Sequence, residues 1–325
     1  MTLSRGALYL TTIDGVMIVE AEFSEIESWA AEIGGDLPTV IAELIEGVSH
    51  PCGSFAGLSL SEPVVMGVVN VTPDSFHDGG RFDDPEVAIT HGAALIEAGA
   101  QILDIGGEST RPGADPVSVQ AEIDRVLPII ESLVGQGAVI STDTRRVDVM
   151  RAALAAGASI VNDVTALGEP GAIEMVRDAG ASAILMHMQG SPQTMQADPY
   201  YHHAPYEVAS YLAKRVEDCE QLGLLRDRIA IDPGIGFGKS DAHNFTILNT
   251  LGMLHGVRTP IVLGVSRKSF IGRTVGASST DDRLPGTIAA TLHAVDQNVQ
   301  IHRVHDVTEI KQALRIWQLC DDVNG

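Results

Sequence analysis

Basic side chains are scarce in this sequence: 21 Lys and Arg stand against 43 Asp and Glu in 325 residues, a formal net charge of -22 at pH 7. Tracking the phosphates of a duplex takes a basic face that such a balance is not built to supply, so nucleic acid is not the expected partner. A few cations gathered in one pocket could still hold a small anion. Cysteine is scarcer still. Cys52, Cys219 and Cys320 lie far apart and leave an odd thiol, so neither a disulfide framework nor a zinc ribbon is indicated and a reducing cytosol is expected. No run approaches the roughly 18 apolar residues of a membrane span. Thr11, Thr12 and Asp14 interrupt the first apolar stretch, where a secretory leader would need it unbroken. The expectation is a soluble, cytoplasmic protein whose length and 45 % hydrophobic content allow a large core.

Residues 1–60 read as an extension distinct from the rest of the chain, with nearly all their charge acidic. Ala7-Leu-Tyr-Leu and Val16-Met-Ile-Val flank Asp14-Gly15, a favoured hairpin turn pair, and amphipathic helices are predicted over Phe23–Ile33 and Thr39–Ile45. From residue 61 to 325, strand and helix signals alternate eight times. Apolar runs lie near 64–69, 101–105, 138–142, 159–163, 182–187, 228–232, 260–265 and 299–304. Helix-length segments such as Pro85–Ala98, Val119–Leu133, Val147–Ala155 and Tyr206–Leu222 separate them. Gly-Ala pairs at 99–100, 157–158 and 180–181 end helices as a glycine at C′ does. This alternation suits a parallel (β/α)8 TIM barrel with an N-terminal extension.

Polar residues recur where each strand ends: Asn70 after the first, Thr110 and Arg111 after the second, Asp143 after the third and Asn162 after the fourth. His187 closes the fifth, Asp232 the sixth, Arg267 and Lys268 the seventh, Arg303 and His305 the eighth. In a barrel those ends share one face, where active sites lie. Asn70 to Gly80 and Gly106 to Gly113 are either plain turns or, given their length, lids and binding loops. A lone carboxylate such as Asp143 or Asp232 is ordinarily half of an ion pair. Two of them beside Asn162 can instead read a heterocycle with several N–H donors. Ser266-Arg267-Lys268-Ser269 and Arg303-Val304-His305-Asp306 read either as solvated basic patches or as an anion site of four converging cationic groups. Two imitations are set aside. Gly234-Ile-Gly-Phe-Gly238-Lys239-Ser240 has three residues, not four, between the outer glycines of a P-loop, and Asp241-Ala-His243 lacks the glycine of a cobalamin-ligating segment. His187 reads as a pocket-lining or core residue and His202-His203 as surface loop, with no second ligand set at zinc spacing.

Six segments in order then carry a resemblance: N-V-T-P-D-S-F at 70–76, G-G-E-S-T-R-P-G at 106–113, N-D-V at 162–164, D-P-G-I-G-F-G-K at 232–239, S-R-K-S at 266–269 and R-V-H-D at 303–306. From about Val64 to Cys320 the chain resembles the dihydropteroate synthase family of pterin-binding enzymes. The resemblance implies condensation of 6-hydroxymethyl-7,8-dihydropterin pyrophosphate with p-aminobenzoate, releasing pyrophosphate, in folate biosynthesis. It implies that Asp143, Asn162, Asp232 and Lys268 hold the pterin ring in a pocket lined by Val164, Met188, Phe237 and Gly264. Asn70, Arg303 and His305 are implied for the pyrophosphate, with Asn70 also touching Mg²⁺. Phe76, Thr110, Arg111, Pro112 and Ser269 are implied for the p-aminobenzoate wall, and Asp78 matches the family's acid in the first loop. Catalytic work would fall to Asp143, Asp232, Lys268, Arg303, His305 and Asp78. Sulfonamide sensitivity would turn on small changes near Phe76 and Pro112, and a homodimer is the family expectation. Ser-Thr-Asp-Thr stands where Ser-Val-Asp-Thr or Ser-Ile-Asp-Thr is commoner, and strand alternation turns Thr142 away from the pocket. A pterin-binding methyltransferase domain, which has no need of a pyrophosphate clamp, and a non-catalytic pterin-binding barrel are the alternatives.

Overall fold

A computed structural model describes residues 5–12, 15–49, 52–71, 85–109, 117–191 and 193–322. The chain opens with an antiparallel ribbon of β1 (Arg5–Thr12) and β2 (Gly15–Glu22), followed by α1 (Phe23–Ile33) and α2 (Leu37–Ser49). The two helices close a small apolar centre of Ile26, Ala30 and Ile41. The Asp14 position of the turn lies outside the described residues. α2 lies along the 3-10 turn Leu251–Val257, where Leu44 meets Gly256 and Arg258 pairs with Glu43 at 3.4 Å.

A short hairpin, β3 (Ser54–Phe55) with β4 (Leu58–Ser59), leads into the barrel strands. These are β5 (Val64–Asn70), β6 (Ile102–Gly106), β7 (Val139–Asp143), β8 (Ile160–Asp163), β9 (Ser182–Met186), β10 (Ile229–Asp232), β11 (Val262–Leu263) and β12 (Ile301–Val304). They lie parallel in the order β10-β9-β8-β7-β6-β5-β12-β11. The ring closes between β10 and the start of β11, where Ile231 bridges Ile261 and its N–H donates to the Pro260 carbonyl at 2.9 Å. Around the strands run α3 (Pro85–Glu97), α4 (Val119–Leu133), α5 (Val147–Ala155), α6 (Ala172–Asp178), α7 (Ala204–Gln221), α8 (Asp241–Asn249), α9 (Ser269–Val275), α10 (Leu284–Val295) and α11 (Val307–Asp322). The protein is a (β/α)8 barrel, as the eightfold alternation led one to expect.

Side chains alternate across each strand. One set points inward: Val64, Met66, Ile102, Ile160, Ile184, Ala230, Val262 and Ile301 fill the lower lumen, and Phe55 and Leu60 plug it from beneath. So Ser54–Leu60, though at the end of the acidic extension in sequence, packs as the floor of the barrel. The other set, including Val65, Leu103, Ile105 and Ile140, meets Val126, Leu133, Ile310 and Leu314 of the surrounding helices. Thr142 is buried on this outer side, as alternation requires, between the inward Ser141 and Asp143. The apolar floor leaves only the upper lumen and the carboxyl-end rim for polar chemistry.

Candidate active site

At the rim, strand register sets four positions level with one another: Asn70 beside Gly106, Gly106 beside Asp143, and Asp143 beside Asn162. Gly106 keeps that space open. A Cβ there would stand 3.3 Å from the Asp143 Cβ and 3.6 Å from Asn70 Oδ1. One layer down, in the lumen, lie Asp104 of β6 and Ser141 of β7. Asp104 is fully buried and accepts Ser141 Oγ at 2.7 Å, Asn162 Nδ2 at 3.0 Å and Arg303 Nε at 2.6 Å. Arg303 reaches upward from there, and its Nη2 donates to Asp143 Oδ2 at 2.8 Å. One guanidinium thus spans two carboxylates contributed by neighbouring strands. Burial, then the like charge of Asp104, pushes the Asp143 carboxyl up to about 7. Burial opposes the charge on Arg303, but Asp104 and Asp143 outweigh it and hold the guanidinium above its ordinary value.

Across the rim, Asp232 ends β10, and its Oδ1 accepts the Gly234 N–H at 2.7 Å. Burial raises its pKa against the pull of Lys268, the Gly234 N–H and Arg303. Lys268 is not ion-paired with it. Its Nζ donates to the Ile235 carbonyl and lies 4.8 Å from the centre of the Phe237 ring. Burial lowers the ammonium to about 8, with Asp232 working the other way and Arg303 adding to the fall. Gly264 stands between the two cations, since a Cβ on it would lie 3.8 Å from Lys268 Nζ and 3.9 Å from Arg303 Cβ. Asp143, Asp232, Lys268 and Arg303 therefore face one cleft, although they come from three strands and the turn after a fourth, and 160 residues separate Asp143 from Arg303.

The loop after Asp232 is glycine-rich for steric reasons. Gly234 has φ +66° and a Cβ there would fall 1.9 Å from the His187 carbonyl oxygen; at Gly238, with φ +60°, the clash is 2.5 Å from the Gln189 carbonyl. Lys239, 1 % exposed, folds back under this loop instead of reaching a phosphate. Its Nζ meets His187 Nδ1 at 2.9 Å and the carbonyls of Gly234 and Phe237, each at 3.0 Å. Burial and the neighbouring Lys268 hold Lys239 well below its usual range, and burial with Lys239 lowers His187 to about 3. His187 is thus a core residue, while His202 is exposed and His203 caps α7, accepting the Tyr206 N–H at 3.3 Å.

Of the four cationic groups expected to converge, Arg267 does not. Its left-handed backbone, φ +57°, turns the side chain outward to Asp306, with Nε at 2.9 Å from Oδ2, and to Asp281 at 2.8 Å. Lys268, Arg303 and His305 remain as the candidate cations, and His305 Nδ1 lies 2.9 Å from Ser266 Oγ. Val164 is buried just past β8, Met188 is half-buried past β9, and Ser269 is exposed at the start of α9. Phe76, Asp78, Thr110, Arg111 and Pro112 lie outside the described residues. The base of the loop that carries the last three is pinned on both sides. Glu108 takes Arg146 Nη2 at 2.6 Å and Arg145 Nε at 3.1 Å, and the same Arg146 donates to the Val117 carbonyl.

Among the described residues no group of three or more His, Cys, Asp or Glu side chains could hold a metal ion. The carboxamide oxygen of Asn70 is a hard, neutral ligand at the rim. That suits Mg²⁺, which keeps several waters and takes other ligands from substrate phosphates, and does not suit a caged metal.

Comparison with known proteins fits this geometry. A model of the family described as pterin binding enzyme matches residues 66–305. The dihydropteroate synthase of Escherichia coli (strain K12) is 44 % identical over 260 residues, covering 80 % of this chain and 92 % of that protein. The structure of Xanthomonas albilineans dihydropteroate synthase with 4-aminobenzoic acid superposes with a TM-score of 0.77 at 46 % identity, over 81 % of this chain and 95 % of that one. The same enzyme in complex with 7,8-dihydropteroate gives 0.74 at 43 % identity, over the same shares.

Proposed function

The chain belongs to the pterin-binding enzyme family, among its dihydropteroate synthases, and from this premise we infer how its own residues carry the reaction. It joins 6-hydroxymethyl-7,8-dihydropterin pyrophosphate to p-aminobenzoate. The bond from the pterin methylene to the diphosphate oxygen breaks, a bond from that carbon to the amine nitrogen forms, and the amine loses a proton to solvent.

What supports assigning roles is the facing of two acids and two cations across one cleft. Arg303 and His305 meet the charge that develops on the leaving diphosphate. Departure leaves a ring-conjugated cation at the methylene, which Asp143 and Asp232 stabilise as it forms. Asn162 and Lys268 orient the pterin ring, between Val164, Met188, Phe237 and Gly264. An aromatic amine is nucleophilic when neutral, so no strong general base is needed. Ser269 is assigned to the amine's site, and the parts expected there of Phe76, Thr110, Arg111 and Pro112, and of Asp78, fall outside the described residues. Asn70 would hold Mg²⁺, which would supply neutralisation of charge on the diphosphate. No helix among the described residues is long and apolar enough to cross a membrane. A cytoplasmic location and a homodimer complete the proposal, the latter open to light scattering.

Incubation with both substrates, with and without Mg²⁺, tests the reading. Metal-dependent formation of dihydropteroate with equimolar pyrophosphate is expected. Absence of product with both substrates and Mg²⁺ would overturn it, as would full turnover by Asp232→Asn.

A further inference from the structure

Asp104 has no part in the reaction as outlined, yet it is the most connected carboxylate in the lumen. It is 0 % exposed, and one of its oxygens accepts both Arg303 Nε and Asn162 Nδ2 while the other accepts Ser141 Oγ. A charge buried at this depth is costly unless matched, and the match is the guanidinium assigned to the diphosphate. Resting on that assignment, we propose that Asp104 is a positioning residue for Arg303: it holds the guanidinium from behind by Nε, so that only Nη2 changes partner, from Asp143 to the departing diphosphate.

The two carboxylates on Arg303 are not equivalent. The Asp143 side chain is 12 % exposed and faces the cleft, whereas Asp104 is sealed beneath it. A phosphate oxygen entering the cleft displaces Asp143 and leaves the Asp104 pair untouched. Asp143 is then released toward the methylene at the step when a cation forms there. Without the charge of Asp104, Asp143 is the one carboxylate left on the guanidinium. The guanidinium, stripped of one of its two compensating charges, then grips the pyrophosphate product and releases it slowly. The charge of Asp104 thus weakens anion binding and favours turnover.

Asp104→Asn separates charge from shape. The new carbonyl oxygen can accept from Arg303 and Asn162 as Oδ2 does, and the new NH₂ can donate to Ser141 Oγ, which accepts as readily as it donates. Calorimetry with inorganic pyrophosphate and Mg²⁺ should show about tenfold tighter binding in the variant. Its kcat should fall by about 10- to 100-fold, with KM for p-aminobenzoate within about twofold. A purely structural role would weaken pyrophosphate binding and lower kcat together; that pattern, or unchanged values, would overturn the proposal. A measurement on the parent protein decides the matter should the variant fail to fold. The Arg303 Nε–H resonance, identified by its loss in Arg303→Lys, should stay in its hydrogen-bonded position when pyrophosphate is added, and its move to the free-guanidinium position would refute the restraint. A parent that binds pyrophosphate but makes no dihydropteroate would sink the functional reading and leave the affinity comparison standing.

Discussion

Lys239 Nζ lies 2.9 Å from His187 Nδ1 beneath the loop that begins at Asp232, with two loop carbonyls completing its contacts. A lysine and a histidine buried together make the stability of the fold beneath this loop depend on protonation. Because burial and Lys239 depress His187 to about 3 from an ordinary value of 6.5, the unfolded chain binds more protons than the folded one between those values. Stability from this group is fully present above about pH 6.5 and is lost as pH falls toward 3, by at most about 1.4 kcal/mol per pH unit. Urea unfolding at pH 7 and pH 5 should show the parent losing stability more steeply than His187→Asn. The carboxyls raised by burial, Glu122, Asp143, Asp163 and Asp232, act in the opposite sense but are common to both proteins, so they cancel in the difference. Parallel losses would refute the argument.

Asp143 should set the acid limb of activity. Its carboxyl titrates at about 7, and only the anion can face a cation. The kcat/KM for the pterin substrate should therefore rise with pH through about 7 and level off above it. Asp143→Asn should lower kcat/KM by about 100-fold and abolish the limb. Asp104→Asn should shift the limb to lower pH, because the like charge that helps raise Asp143 is gone. A limb unmoved in Asp104→Asn would show that burial alone sets it.

Arg267 and Arg303 part company in direction although either could have been the clamp. Arg267 is bound to Asp306 and Asp281 and supports the turn after β11, where its backbone carbonyl accepts Arg283 Nη1 at 2.9 Å. Arg267→Ala should lower the unfolding midpoint while leaving pyrophosphate affinity within about twofold. Arg303→Ala should weaken pyrophosphate by at least about 30-fold, the loss of a charge-assisted contact worth about 2 kcal/mol or more. Equal effects on pyrophosphate would return Arg267 to the anion site.

These contrasts mark where the sequence was legible. Asn70, Asp143, Asn162, Asp232 and Lys268 stand at strand ends, where a polar residue after an apolar run announces itself, and the barrel's geometry gathers them with no further information. Asp104 sits inside Ile-Leu-Asp-Ile-Gly, where a strand pattern invites the eye to pass over it. The cost of a carboxylate within an apolar strand was the available signal, since it demands a partner even when the partner is 199 residues away. Arg267 misled because neighbouring basic residues share a segment without sharing a direction. A left-handed φ at one of them, invisible in the sequence, sends adjacent side chains to opposite sides. The floor was not legible for a related reason: Phe55 follows an acidic stretch, while its burial depends on strands that lie later in the chain.

Phe55 gives the cleanest separation of fold from chemistry. It is 1 % exposed at the bottom of the lumen, against Val64, Met66, Ile102, Ile184 and Ile301, whereas the proposed reacting groups occupy the opposite rim. The wall around it is made of strands that cannot collapse inward without breaking their ladder, so a truncated side chain leaves its cavity largely unfilled. Phe55→Ala should cost about 3–5 kcal/mol of unfolding free energy. At temperatures where the variant remains folded, kcat and both KM values should match the parent within about twofold, because a void at the floor leaves the rim pairs Arg303–Asp143 and Asp232–Gly234 in place. Denaturant unfolding followed by tryptophan fluorescence, alongside steady-state kinetics on the same preparation, checks both halves. A loss of turnover without loss of stability would mean that the floor and the rim are mechanically coupled through the lumen.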